Sequence, residues 1–146
     1  MIVLDTNVVT ELMRPAPEPR LLRWFSRQVA EDLHLTVVTM AEILHGIELI
    51  STSRRRDVLR AGAVRMFGEV FADRILPFED RAAHAFSEIA AARRRQGKPI
   101  SQFDAQIAAI ARVHGATLAT RSPYVFEGCG VRLVNPWEEK LVRNLP

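Results

Sequence analysis

The sequence predicts an α/β fold in which a parallel sheet of about five short strands is covered by helices on both faces. Two observations carry this. Short apolar runs alternate with longer amphipathic stretches along the whole chain, and strands separated by helices pair into a parallel sheet with both faces buried. The length of 146 residues fits one domain, spanning 1–146. A domain of this size buries roughly 70% of its unfolded surface and folds without staples.

Each element follows from local pattern. Ile2-Val3-Leu4 reads as a short buried strand, and a helix over 6–14 ends before Pro15. The stretch Pro15-Ala16-Pro17-Glu18-Pro19 is too short to separate domains. A second helix is expected over 19–30, with Leu21, Leu22, Phe25 and Val29 on one face. Strand two covers 33–38 and helix three 40–50. Helix four covers 54–71, its apolar face carrying Val58, Leu59, Val64, Phe67 and Phe71. Strand three covers 74–78. Helix five, over 80–96, is closed by Gly97, and helix six, over 102–114, by Gly115. Strands four and five cover 117–120 and 131–134. In such sheets ligands bind in the crevice beyond the carboxyl ends of the strands.

Composition narrows the class. With 48% hydrophobic and 25% charged residues, the chain is neither a disordered tail, a collagen nor a disulfide scaffold. The single cysteine, Cys129, precludes an intrachain disulfide and fits a reducing compartment. The apolar runs fall well short of the ~20 residues of a spanning helix. Met1 to Leu4 already reads as a strand, so no signal peptide is expected before the fold, and the expected location is cytoplasmic. The 20 basic residues exceed the 17 acidic ones by three, and 18 of the 20 are arginine. Arginine forks fit phosphate in a bidentate way, although a GC-rich genome produces the same bias.

Three acids stand where this fold places ligands. Asp5 follows strand one, Glu42 lies just after strand two, and Asp104 opens helix six. Each has a plain structural reading. Asp5 is placed to cap a helix, Thr39-Met40-Ala41-Glu42 has capping-box spacing, and Ser101-Gln102-Phe103-Asp104 nearly does. The sharper reading is that all three lie in first turns at one edge of the sheet and converge. Carboxylates a few Å apart repel and rise in pKa, and a hard cation relieves that repulsion. Mg²⁺ takes one or two carboxylates with retained waters and a substrate phosphate. His34, His45, His84, His114 and Cys129 are scattered, with no zinc spacing. Spacing alone leaves the capping and metal readings both open.

The order of motifs adds to this. Met1-Ile2-Val3-Leu4-Asp5-Thr6-Asn7 opens the chain, followed by Val38-Thr39-Met40-Ala41-Glu42-Ile43-Leu44-His45-Gly46. Then come Gly97-Lys98-Pro99-Ile100-Ser101-Gln102-Phe103-Asp104, Ala119-Thr120-Arg121 and Val134-Asn135-Pro136-Trp137. Together, from Met1 to about Trp137, they resemble the PIN-domain ribonuclease toxins of bacterial toxin–antitoxin pairs, of the VapC type and FitB-like group. The resemblance implies a three-layer α/β/α domain with an acidic pocket for Mg²⁺ or Mn²⁺. It puts the family's acids on Asp5, Glu42 and Asp104, and its following hydroxyl and amide on Thr6 and Asn7. Asp5 and Asp104 are then expected to hold the metal with waters, and Glu42 to hold or orient a water. Thr6, Asn7, Thr120, Arg121 and Ser122 are expected to line the rim and meet RNA. The implied reaction leaves a 5′-phosphate and a 3′-hydroxyl. The implied partners are a DNA-binding antitoxin, which inserts a basic side chain into the pocket, and a second toxin copy. Promoter DNA is met only through the antitoxin, and no membrane is involved.

The family often continues after the strand-four arginine with an asparagine and, three residues on, another aspartate. Here Ser122 and Val125 stand at those positions. Valine binds no metal, so a catalytically weakened RNA- or antitoxin-binding protein is the alternative. Glu127 is expected to point elsewhere in an extended segment. A phosphatase of the haloacid dehalogenase type needs an aspartate where Asn7 stands, and a receiver domain needs a paired acid and a switch lysine. Of the two arginine runs, Arg93-Arg94-Arg95 complements the dipole at a helix end, whereas Arg54-Arg55-Arg56 opens a helix and is the better phosphate candidate. Trp24, Phe25, Phe67, Phe71 and Trp137 read as core or interface.

Overall fold

The computed structural model describes residues 1–138 with their side chains and the backbone of 140–142. Strand β1 (Ile2–Leu4) pairs in parallel with β2 (Leu33–Thr36) on one side and with β4 (Thr117–Ala119) on the other. Beyond them lie β3 (Ile75–Leu76) and β5 (Arg132–Asn135), also parallel. All five expected strands are present. A sixth, β6 (Lys140–Val142), adds antiparallel to β5, giving the order β3-β2-β1-β4-β5-β6. The chain fills the sheet first to one side of β1 and then to the other. The crevice past the end of β1 is therefore the topological switch point.

Six helices cover the sheet: α1 (Thr6–Leu12), α2 (Pro19–Ser26), α3 (Val37–Glu48), α4 (Arg54–Arg65), α5 (Asp80–Arg95) and α6 (Gln102–Val113). Alternation along each strand splits the core in two. Val3 and Leu118 face α5 and α6, whose buried alanines (Ala82, Ala85, Ala105, Ala108, Ala109) let the helices approach closely. Leu4, Leu35 and Ala119 face α1 to α4, with Val8, Leu21, Trp24, Ile43 and Phe67. Gly97 and Gly115 follow α5 and α6 with φ of +70° and +60°, the left-handed conformation that ends a helix.

Several boundaries differ from the pattern-based expectation. Helix α2 stops at Ser26 and a 3₁₀ turn at Ala30–Asp32 follows, which leaves Val29 and Leu22 exposed. The buried face is carried by Leu21, as expected, and by Trp24. Helix α4 ends at Arg65 and passes into a π-helical turn, Met66–Val70, where Phe71 N–H donates to the Met66 carbonyl at 2.9 Å. The wider turn brings Phe67 and Phe71 onto the sheet while Val58 and Val64 stay in solvent. Strand β2 ends at Thr36, because Thr36 already caps α3, its hydroxyl accepting from Thr39 N–H at 3.1 Å. The capping box at Thr39 does not form, and Glu42 falls in the second turn of α3. Among the described residues no helix is long and apolar enough to cross a membrane.

Candidate active site

At the switch point, Asp5 leaves β1 with its N–H donating to the Ala119 carbonyl at 2.9 Å, so the strand pairing continues through it. It caps α1: Oδ1 accepts from Thr6 N–H at 2.8 Å. Oδ2 accepts from the Thr120 hydroxyl at 2.8 Å, and that hydroxyl in turn accepts from Ser122 N–H at 3.1 Å. The cap is thus real, and it is also the residue the metal reading requires. Asp5 is only 5% exposed. Burial raises its pKa to about 6, against the two hydrogen bonds, with the charges of Asp104 and Glu42 adding to the rise.

Glu42 reaches the same place from α3. Its Oε1 accepts from the Thr6 hydroxyl at 2.8 Å, and Thr6 is 3.0 Å from the Thr39 hydroxyl. A hydroxyl has one proton. With that of Thr6 on Glu42, Thr39 is the donor between the two threonines. Partial burial raises the Glu42 pKa, offset by the Thr6 bond and reinforced by Asp104. Asp104 is the third residue of α6, and its N–H donates to Ser101 Oγ at 3.1 Å. Its carboxylate makes no hydrogen bond among the described residues. The three acids therefore share one electric field, although they come from three elements.

The remaining expected residues divide. Thr6 and Thr120 turn their hydroxyls to the acids. Asn7 Oδ1 accepts from Arg121 N–H at 3.4 Å, and the Arg121 guanidinium lies over the Trp137 ring, 5.0 Å from its centroid. Val125 packs against the α5–α6 core. The segment after β4 is a 3₁₀ turn, Pro123–Phe126, not an extended stretch, and Glu127 lines the same groove as Asp104. In the Arg54 run, Arg56 pairs with Glu48 at 2.5 Å, as does Arg60 at 2.7 Å, which lowers the Glu48 pKa.

Arg93 is the residue sequence reasoning missed. It is buried, not a solvated cation at a helix end, and donates to the carbonyls of Lys98, Val125 and Glu127. Helical phase was the available signal: Arg93 lies four residues after the buried Ile89, on the core face of α5.

The donors at this site are carboxylate and hydroxyl oxygens, the set that suits Mg²⁺ or Mn²⁺. Among the described residues no three acid, imidazole or thiol groups stand close enough to grip one ion together. Mg²⁺ requires only one or two carboxylates, with water completing its shell. The raised Asp5 and Glu42 carboxyls are the groups a cation relieves.

A parallel sheet with buried acid at its switch point, a second acid on α3 and a third at the start of α6 defines a family, and residues 2–122 match the PIN domain. The chain belongs to the PIN-domain family. It is 40% identical over 138 residues to plasmid stability protein StbB of Pseudomonas syringae pv. tomato, covering 94% of this chain and 99% of that protein. It is 38% identical over 141 residues to VapC ribonuclease Y4jK of Sinorhizobium fredii, covering 94% and 99%. Among solved structures it superposes on a chain of the FitAB complex bound to the IR36 DNA fragment, with a TM-score of 0.86, 36% identity and coverage of 94% and 96%.

Proposed function

We propose that the protein is a Mg²⁺- or Mn²⁺-dependent endoribonuclease toxin restrained by a cognate antitoxin. The observation that carries this is the convergence at the switch point of buried Asp5, of Glu42 tied beside it through Thr6, and of Asp104, whose charge reaches both. Relatives named VapC ribonuclease and toxin FitB, and the likeness to a chain of the DNA-bound FitAB structure, support the same reading.

The chain's own groups supply positioning. Thr6 N–H and the Thr120 hydroxyl each occupy one lone pair of Asp5 and fix the orientation of its carboxylate. Asp5 and Asp104 would hold the cation, the Asp104 carboxylate making no hydrogen bond among the described residues. The Thr6 hydroxyl pins Oε1 of Glu42, which leaves Oε2 to accept a proton from a water and orient it on the scissile phosphorus. A bound divalent cation polarises the phosphodiester and lowers the pKa of a water. Asn7, Arg121 and Ser122 form the rim that meets the RNA backbone. Beside Thr6 and Glu42 lies an apolar cleft of about 300 Å³, lined by Ile43, Ile47 and Leu59. It suits an apolar segment of an antitoxin whose basic side chain enters the pocket. A toxin dimer, promoter DNA reached through the antitoxin, and a cytoplasmic setting complete the reading.

The test is growth arrest on expression, together with Mg²⁺-dependent RNA cleavage in vitro, for wild type and Asp5→Asn. Cleavage that survives in the variant rejects the assignment. Val125 favours a second reading, a binding protein that cuts slowly or not at all, because an apolar side chain packed against the core stands where the family resemblance leads one to expect an acid. Under it, wild type cuts weakly and Val125→Asp raises cleavage. Strong wild-type cleavage that Val125→Asp does not raise removes this reading.

A further inference from the structure

The groove beside Asp104 carries a cation that the acidic site does not use. Arg93 is 7% exposed, and among the described residues its guanidinium bonds only to neutral groups. Nε donates to the Lys98 carbonyl at 2.8 Å, and Nη1 to those of Val125 at 2.6 Å and Glu127 at 3.1 Å, with Cys129 Sγ at 3.6 Å. Nη2 takes no partner among the described residues. The carbonyls hold Nε and Nη1 in place, which leaves Nη2 to donate into the groove that Arg93 lines. Arg93 lines a groove of about 530 Å³ together with Lys98, Tyr124 and Asp104. Tyr124 is 70% exposed, an unusual place for an aromatic ring, and sits in the turn whose Val125 carbonyl Arg93 fixes. The groove thus joins two cations and an open ring to the third acid of the site, in a volume that accepts a nucleotide.

We propose that this groove is an RNA-strand subsite, in which Arg93 and Lys98 hold a backbone phosphate neighbouring the scissile one and Tyr124 stacks on its base. The inference rests on the nuclease reading above and names where the substrate strand runs. Asp104 and Glu127 on the same walls keep the phosphate to the Arg93 and Lys98 side. A stacking ring requires an unpaired base, so the strand is single there.

The probe is a fluorescein-labelled oligouridylate of about 10 nucleotides, a length within the range of single-strand binding sites. Its binding is followed by anisotropy in EDTA, where it is not cut, and its cleavage separately with Mg²⁺. Arg93 itself is left intact, since it also ties three carbonyls together. Tyr124→Ala is expected to weaken binding and kcat/KM roughly tenfold, and Tyr124→Phe to restore both. Lys98→Ala is expected to reduce the slope of log affinity against log salt by about 0.7, one phosphate contact on a single strand. If wild type cuts RNA and both alanine variants bind and cut as it does, the subsite is overturned and the nuclease reading stands. A wild type that neither binds nor cuts overturns both.

Discussion

Asp5 and Asp104 carry the same group at the same edge of the sheet, yet their surroundings are opposite. Asp5 is sealed at the junction of β1 and β4, with both oxygens hydrogen-bonded and its pKa raised by burial to about 6. Asp104 stands on the first turn of α6, facing an open groove, and among the described residues its carboxylate makes no hydrogen bond. One half of the site is a fixed network of acids and threonines, and the other half is a single acid free to adjust. A cation bridging them would have its position set by Asp5 and its coordination completed by Asp104. The largest expected effect sharpens this division. Asp5→Asn and Asp104→Asn should each lower Mg²⁺-dependent RNA cleavage by on the order of a hundredfold or more. The first should also change the stability of the metal-free protein, and the second far less. Equal stability changes in the two variants would erase the distinction.

The sign of that stability change follows from proton counting. Folded Asp5 titrates at about 6 and the unfolded residue near its ordinary value of 3.8. Between those values the native state holds a proton that the unfolded chain has released, so stability falls as pH rises through the window and stays reduced above it. A shift of about two pK units corresponds to roughly 3 kcal/mol. Glu42, raised in the same direction, adds to the fall. Urea unfolding in EDTA should therefore find Asp5→Asn more stable than wild type at pH 7, by about 1–3 kcal/mol, and little different at pH 4. Asp104→Asn should stay within about 0.5 kcal/mol of wild type. Added Mg²⁺ should recover stability in wild type and not in Asp5→Asn. A wild type whose stability is flat from pH 4 to 7 would contradict the burial argument.

A smaller effect tests the network itself. Thr120→Val keeps the shape of the side chain and removes the hydroxyl that donates to Asp5 and accepts from Ser122 N–H. It should destabilise the protein by about 1–3 kcal/mol at pH 7. Because the Thr120 bond lowers the Asp5 pKa, its loss should also move the upper end of the pH window above 6. Thr39→Val, one hydroxyl further from the acids, should leave that window in place.

Most of this frame was legible in the sequence. The alternation of apolar runs and helices placed five parallel strands, and the two terminating glycines closed α5 and α6 where expected. Short local signals did less well where two candidates competed. Thr36 and Thr39 both suit a cap, and Thr36 prevails because β2 ends there, which moves Glu42 one turn deeper into α3. The π turn at Met66–Val70 was hidden because its apolar spacing reads as continued α-helix until tertiary packing rotates Phe67 and Phe71 inward. Strand β6 is three residues long and pairs only by the return of the chain. The sequence places Thr6 and Thr120 at the rim, but which partner a hydroxyl chooses is a tertiary fact, and in the fold both hydroxyls donate to the acids.

The smallest expected effect concerns the arginine run at the start of α4. The sequence treats Arg54, Arg55 and Arg56 as equivalent, but the fold does not. Arg56 and Arg60 both bind the carboxylate of Glu48, so the charge of Arg56 is already met. Arg54 and Arg55 line a cleft with Arg14, Val58 and Leu59 and make no ion pair among the described residues. This run sits beside the helices that hold the fixed half of the site, away from the groove at Asp104. If RNA passes there as well, Arg54→Gln and Arg55→Gln should each flatten the salt dependence of RNA binding by up to about 0.7 in log–log slope, and Arg56→Gln should hardly change it. Anisotropy titrations across a range of NaCl concentrations read this directly. An unchanged slope in the Arg54 and Arg55 variants would confine the strand to the Asp104 side. A changed slope in Arg56→Gln alone would mean that RNA displaces Glu48 from its pair.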